Sequence, residues 1–294
     1  MEVVTLETID GYTLVLSNTV AQKVFSIVGL GKPPIDIKTS TAYDVDGSIV
    51  SRIRYNHRIL SIGMADKLES PEILQEYYNR ILDFLRHTRG GPIKIYYRLG
   101  EKTWFIYAYL QEMPGNLRDV DNASCVQKLV LTFLCYDPIW YGEFIEVEAE
   151  ILPLQQWVYP AAYANYYGGA NLSGNFDINY EGTYKTWPVL SVVGPATGIY
   201  IKNNTTGYFF GLDRINLLDG EELTAILGPY GVTLETDYDY YGNMVENAEP
   251  AYTTINPSGL DVPDGINNIT INLSGIGTSS EIKMSYYERF EGIL

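Results

Sequence analysis

One stretch of this chain carries a clear helical period, and nearly everything around it reads as short strands. Ser70-Pro71 offers an N-cap followed by proline at the first helical position, and Glu72 complements the helix dipole. Ile73, Leu74, Tyr77, Tyr78, Ile81, Leu82 and Leu85 then recur at three- and four-residue steps until Gly90-Gly91-Pro92 ends the run. The spacing predicts a helix over 71–88. His87 falls in its last turn, where a cationic side chain is favoured.

Before the helix, residues 12–16 (YTLVL) and 23–28 (KVFSIV) are short β-rich runs. Residues 49–59 (IVSRIRYNHRI) alternate, with Arg52, Arg54, Asn56 and Arg58 on one face and Ile53, Tyr55, His57 and Ile59 on the other. That basic face reads as a solvated, salt-bridged strand surface, as a protein-contact surface or, last, as a nucleic-acid contact. After the helix, 93–99 and 103–112 read as a β-hairpin turning at Gly100-Glu101-Lys102. Tyr96, Tyr97, Trp104, Phe105, Tyr107 and Tyr109 put aromatics on both of its faces, more than one small core absorbs. Its edges need covering, and closure into a cyclic oligomer would cover them. A polar stretch (114–124) leads to a further strand over 125–136, so the first half reads as an α+β domain.

The second half differs in kind. From Trp187 onward strands follow one another with turn signals every 8–12 residues and no helical pattern, which predicts a C-terminal β-sandwich of jelly-roll or galectin-like form over 187–294. Residues 144–186, Tyr/Gly/Asn-rich for much of their length, read as a linker with decorated loops. Charge follows the same division. Residues 1–139 hold 15 Lys+Arg against 16 Asp+Glu, whereas 140–294 hold 5 against 20, nearly the whole net charge of −16. A half so acidic is a poor grip for a nucleic-acid backbone, which calls for cations that displace counterions.

Catalytic chemistry is hard to find. Cys125 and Cys135 would stand about 33 Å apart on one strand at ~3.3 Å per residue, too far to bridge. With His57 and His87 they show no zinc-ligand spacing. Glu146, Glu148 and Glu150 share a strand face, the pattern of a solvent face rather than of acid/base work. Asp237 and Asp239 in ETDYDYYGN faintly suggest a hard-cation loop, but the bidentate Glu of an EF-hand is missing. Tyr159, Tyr163, Tyr166, Tyr167, Tyr238, Tyr240 and Tyr241 suit either a sugar-stacking platform or a subunit interface. There is no GxSxG, P-loop or GxGxxG leading into a helix, so neither an enzyme nor a cofactor is expected. No apolar run approaches the ~20 residues of a membrane span. The N-terminus carries acids early, unlike a signal peptide, and cytoplasmic synthesis is expected.

Residues 133–142 read FLCYDPIWYG, where Asp137-Pro138 removes a ladder donor and should stop a central strand. Trp140 and Tyr141 are expected to pack at a domain junction there. This motif resembles the distal tail (Dit) proteins of long-tailed bacteriophages. VSRIRYNHRILSIGM (50–64), the helix and hairpin of 71–112, WPVLSVVGPATGIYIKNNTTG (187–207), LDVPDGINNITI (260–271) and MSYYERFEGIL (284–294) extend the resemblance in the family's order. The closing turn departs from it, reading Pro263-Asp264-Gly265 where the family usually has Pro-Gly.

The resemblance implies a mainly β protein with one helix: an N-terminal α+β ring-forming domain over 1–143, then the sandwich. It implies a structural virion component of a tail tip or baseplate, a homohexamer in one ring or two stacked rings with DNA passing through the lumen. The partners it implies are the tail tube protein, a tail-associated hub protein and a receptor-binding protein. No tight nucleic-acid binding and no membrane insertion are expected. Arg52, Arg54, Arg58, Tyr96, Trp104 and Tyr107 are the protein-contact candidates. The alternative is a carbohydrate- or receptor-binding module of a tail or injection-system baseplate.

Overall fold

The computed structural model describes residues 2–17, 22–41, 46–67, 70–112, 126–148, 170–228, 231–236, 254–258, 262, 264–277 and 279–293. The chain divides into two compact units. One comprises Met1–Glu143 with Phe290–Leu294, the other Phe144–Arg289.

The first unit contains β1 (Glu2–Glu7), β2 (Thr13–Ser17), β3 (Gln22–Val28), β4 (Ile35–Ser40), β5 (Ile49–Tyr55), β6 (Arg58–Lys67), α1 (Pro71–His87), β7 (Ile93–Leu99), β8 (Lys102–Glu112), β9 (Val126–Cys135) and the start of β10 (Trp140–Glu148). The strands pair in the order β2-β1-β7-β8, and β8 also leads through β9 to β6 and β3. Helix α1 begins as the sequence predicts, with the Ser70 hydroxyl accepting from the Ile73 amide at 3.3 Å. Its Ile81, Phe84 and Leu85 join a core with Leu6, Ile62, Ile95 and Phe133. Each such side chain stabilises by about 1.5–3 kcal/mol when fully buried. His87 stacks on Tyr12 with ring centroids 3.9 Å apart, tying the helix end to the loop before β2.

The second unit contains the remainder of β10, β11 (Ala170–Asn179), β12 (Val189–Val193), β13 (Ala196–Asn203), β14 (Phe209–Leu217), β15 (Glu222–Gly228), β16 (Gly231–Thr236), β17 (Ile266–Ile276) and β18 up to Arg289 (Glu281–Phe290). One sheet runs β10-β18-β12-β15-β16 and the other β11-β17-β13-β14. Leu190, Val192 and Met284 from the first share a core with Ile199, Ile201, Ile271 and Leu273 from the second. Period-two alternation fixes that register, since a one-residue slip of β17 would expose Ile269, Ile271 and Leu273 together. One α-helix among the described residues, surrounded by antiparallel strands, makes the protein mainly β as expected.

Several expectations need correction. The hairpin β7–β8 is not left open: β1 pairs with β7 from Lys94 to Leu99, and β8 pairs with β10 at Phe105 and with β9 from Tyr109 to Glu112. The first residues of the chain supply that covering strand. Residues 144–186 are not simply a linker, because β11 pairs with β17 from Ala170 to Asn179 and belongs to the second sheet pair. Its Asn/Gly-rich sequence hides the alternation of Phe176 and Ile178, which face the core. The chain's end is not part of the sandwich either. Phe290–Leu294 return to the first unit, where Ile293 is buried and its amide donates to the Leu30 carbonyl at 3.0 Å.

Candidate functional site

Among the described residues of the first unit, Arg58 is the least exposed polar side chain, at 2%. The expected basic face of Arg52, Arg54 and Arg58 is therefore wrong at its third member. The strand of 49–59 breaks at Asn56-His57, where the Asn56 amide donates to the Pro34 carbonyl at 2.8 Å. The break resets the alternation, and Arg58 enters β6 opposite Cys135 with its side chain turned inward. Its Nε donates to the Pro138 carbonyl at 2.8 Å, and Nη2 donates to the Glu291 carbonyl at 2.6 Å. Nη1 donates to the carbonyls of Gly31, at 2.5 Å, and Gly29. The guanidinium lies 5.8 Å from the Trp140 ring centroid. Burial pulls its pKa down to about 10, opposed by the nearby Cys135 and Asp137, so it stays charged at neutral pH.

The Asp-Pro step of FLCYDPIWYG serves this anchor. β9 stops at Cys135, and the Asp137 carboxylate accepts from the Ile139 amide at 3.2 Å and the Tyr141 hydroxyl at 2.6 Å. That turn aims the Pro138 carbonyl at Arg58 and drops Trp140 into the core of the first unit. The chain crosses to the second unit four residues later, at Phe144.

The outward face of the same sheet carries an aromatic cluster. Tyr141 stacks on Phe105 at 5.1 Å, Tyr107 meets both edge-on, and the Lys94 ammonium sits 3.9 Å from the Phe105 centroid. Of the aromatic contact candidates, Tyr107 is exposed and Tyr96 half-buried, its hydroxyl donating to Glu7 at 2.8 Å. Trp104 points the other way: it stacks on Tyr97 and meets Phe290 edge-on inside the unit, so its expected contact role is corrected to a core role.

Arg52 and Arg54 stand on a separate two-stranded ribbon, β4–β5. One face of it is charged, with Arg54 paired to Asp36 at 3.0 Å. The other face presents Ile35, Ile37, Val50 and Ile53, each more than half exposed. A lone hairpin is marginal in water. Tyr55 at its root is held by a 2.5 Å hydrogen bond to Glu291, which also pairs with Lys32 at 3.0 Å. Elsewhere on the unit, the outward face of β3–β6–β9 has a floor of Gly63, Ser26 and Ser61 bordered by the exposed Val28, Ile59 and Val130. Nothing in the sequence marks these two apolar surfaces as exposed, because alternation looks the same on a covered and an uncovered strand.

Asp237 and Asp239 lie outside the described residues, as do Glu150 and the tyrosines of 159–167 and 238–241. Glu146 and Glu148 face Lys283, with 2.7 Å between Lys283 Nζ and Glu148, an ordinary strand-face pairing. Among the described residues no group of His, Cys, Asp or Glu is arranged to hold a metal, and no helix is long and apolar enough to cross a membrane.

No family model matches the chain, and no curated protein matches it by sequence. Its fold does match solved structures. The crystal structure of the Dit protein of phage SPP1, described as a paradigm of the hub adsorption apparatus in phages infecting Gram-positive bacteria, superposes with a TM-score of 0.60 at 16% identity, covering 98% of this chain and 99% of that one. A chain of the phage P2 baseplate in its activated conformation with calcium matches with a TM-score of 0.50 at 12% identity, over 97% and 98% of the two chains. The protein has the fold of the SPP1 Dit protein along nearly its whole length.

Proposed function

We propose that this chain is a structural, Dit-like component of a phage tail tip, without enzymatic activity. Its first unit closes as a hexameric ring that joins the tail tube to the tip or receptor-binding apparatus and lets DNA pass through. The observation that carries this reading is the β4–β5 ribbon, whose Ile35, Ile37, Val50 and Ile53 are exposed on a sheet of only two strands. Such a face calls for a partner.

A second copy offers one of the right chemistry. The floor of Gly63, Ser26 and Ser61 admits a ribbon, and Val28, Ile59 and Val130 supply apolar walls. Ribbon and trough are different surfaces, so the contact is head-to-tail and generates a ring when it closes. The resemblance to the distal tail family sets the number at six, and the likeness in fold to a protein of the SPP1 hub adsorption apparatus supports the tail-tip location. The near-neutral first half suits a lumen through which DNA slides without being held.

Light scattering at micromolar concentration tests the assembly. A particle of six times the 33.1 kDa of one chain, or twice that for stacked rings, is the expected result. The double variant Ile37→Asp, Ile53→Asp should be monomeric with the wild-type unfolding midpoint. A wild-type protein that stays monomeric, both alone and with the tail tube protein, would refute the ring, and tight salt-sensitive DNA binding would refute the lumen.

A further inference from the structure

Among the described residues, the outward face of the sheet β11-β17-β13-β14 stands apart in its chemistry. Its rows read Ser173–Asn272–Tyr200–Gly211 and Asn175–Thr270–Lys202–Phe209 across the four strands, with Asp177–Asn268 and Ser274–Gly198 on either side. Amides and hydroxyls dominate. They are already aligned, since Asn268 Nδ2 donates to Asp177 at 2.7 Å, and Asn204 Nδ2 donates to Asn268 at 2.7 Å and to Thr270 at 2.6 Å.

The centre is different. Tyr200 stacks on Phe209, ring centroids 5.6 Å apart, and Phe209 is 41% exposed. Gly211, beside Tyr200, carries no side chain, and a Cβ there would come within 3.3 Å of Tyr200 Cδ2. Gly198, opposite Ser274 one row away, is itself buried, its Cβ position 3.5 Å from the Leu212 carbonyl oxygen. Asn272, directly opposite Tyr200, is half-buried, and its side-chain amide has no hydrogen-bond partner among the described residues.

We propose that this face binds a neutral glycan, with the Tyr200 ring as the platform for a sugar and the Asn272 amide as its hydroxyl-reading group. A side-chain amide both donates and accepts, which is what a sugar hydroxyl requires. An aromatic ring accepts the apolar C–H face of a pyranose while its edge stays wet. Gly211 lets the Tyr200 ring lie against β14. Charge selects against the obvious competitors. Residues 140–294 carry net −15, so polyanions such as nucleic acid or glycerol-phosphate polymers are repelled, and Lys202 is the one cation in the two central rows. An apolar protein partner is equally ill-suited, because amides and hydroxyls surround the two aromatics. This binding is independent of the ring and adds direct recognition of a cell-surface polymer to it.

The test uses the full-length protein on immobilised oligosaccharides containing galactose, glucose, rhamnose or N-acetylglucosamine, with poly(glycerol phosphate) and heparin as polyanions. Saturable binding to at least one neutral glycan is expected. Tyr200→Ala and Asn272→Ala should each weaken it about tenfold or more, as loss of a central contact does. Tyr200→Phe should bind nearly as well as the parent, and Gly211→Val should bind worse by displacing the ring. Hydrogen exchange with the glycan present should show protection on β13 and β17, a readout that does not depend on any variant folding. Absence of binding to every neutral glycan, binding to polyanions alone, or unchanged binding in both alanine variants would overturn the proposal. The mass of the assembly, measured on the same samples, separates its failure from that of the ring.

Discussion

The guanidinium of Arg58 donates to the backbone carbonyl of Glu291 at 2.6 Å, across 233 positions of sequence. That bond joins the middle of the first unit to the last residues of the chain. Gly292 makes the approach possible, because a Cβ there would come within 2.9 Å of the Gly31 carbonyl carbon. The anchor therefore has three strands of sequence in one knot: the loop after β3, the Asp137-Pro138 turn and the C-terminal segment.

Arg58→Ala should destabilise the first unit severely, by about 3 kcal/mol or more, since a buried carbonyl left without its donor costs about 1–3 kcal/mol. Arg58→Lys should recover only part of this, because an ammonium cannot span carbonyls that a planar guanidinium reaches together. Urea unfolding followed by tryptophan fluorescence, to which Trp140 under the guanidinium contributes, reads both variants. An unfolding midpoint unchanged in Arg58→Ala would disprove the anchoring role.

Where the chain is cut should matter more than how much is removed. Deleting 290–294 takes away Phe290, Ile293 and the Glu291 contacts, so the first unit should lose stability although only five residues go. A fragment of 187–294 should fail to fold cooperatively, because it lacks β11 and leaves the β17 edge and the core around Ile178 open. Phe144–Arg289, which contains both strands, should fold on its own. Denaturant titrations of the three chains decide this, and a cooperative transition from 187–294 would contradict it.

Alkaline pH should loosen the protein. Burial, with the Glu2 carboxylate adding to it, pushes the Tyr97 phenol up to about 12, and burial with Glu288 does the same for Tyr286. Burial also raises Tyr180, and it raises the Cys135 thiol to about 12 despite the adjacent Arg58. Groups held protonated in this way contribute stability that is complete below their ordinary values of 10.0 and 9.0 and is lost as pH rises towards 12. Arg58 acts in the opposite sense, since its buried charge is relieved above about 10, but one group is set against four. Urea midpoints should be level to pH 9 and fall beyond it. In a Cys125→Ser background, Cys135 should resist thiol reagents at pH 8 until the protein unfolds.

On the charged side of the ribbon, Arg54→Glu should cost the monomer less than about 1 kcal/mol, because its pair with Asp36 is exposed to solvent. Arg54→Glu with Asp36→Arg restores the pair in reverse and should assemble like the parent if the apolar face drives association. Analytical ultracentrifugation at two salt concentrations reports the outcome. Strong loss of assembly in the double reversal would move the contact to the charged face.

Local signals carried some elements all the way. Helix α1 was legible because Ser70-Pro71, the three- and four-residue spacing and Gly90-Gly91-Pro92 all act within one or two turns of backbone. The β7–β8 turn at Gly100 and the stop at Asp137-Pro138 are likewise short-range, set by a left-handed glycine and a missing amide. The run over 125–136 and the turn signals after Trp187 likewise predicted strands, where β9 and β12 to β18 lie.

What alternation cannot carry is the identity of a strand's neighbour. Arg52, Arg54 and Arg58 share one parity in the sequence, yet a break at Asn56-His57 and four carbonyls from residues 29, 31, 138 and 291 turn the last of them into the core. Trp104 and Tyr107 lie three residues apart on one strand and face opposite environments, the first packed against Phe290 from the end of the chain. Sequence by itself determined where the chain bends, where it coils into a helix and which residues alternate, because those depend on torsions and hydrogen bonds between near neighbours. Only the tertiary structure decided which alternating faces are covered, since burial depends on surfaces brought together from residues hundreds of positions apart.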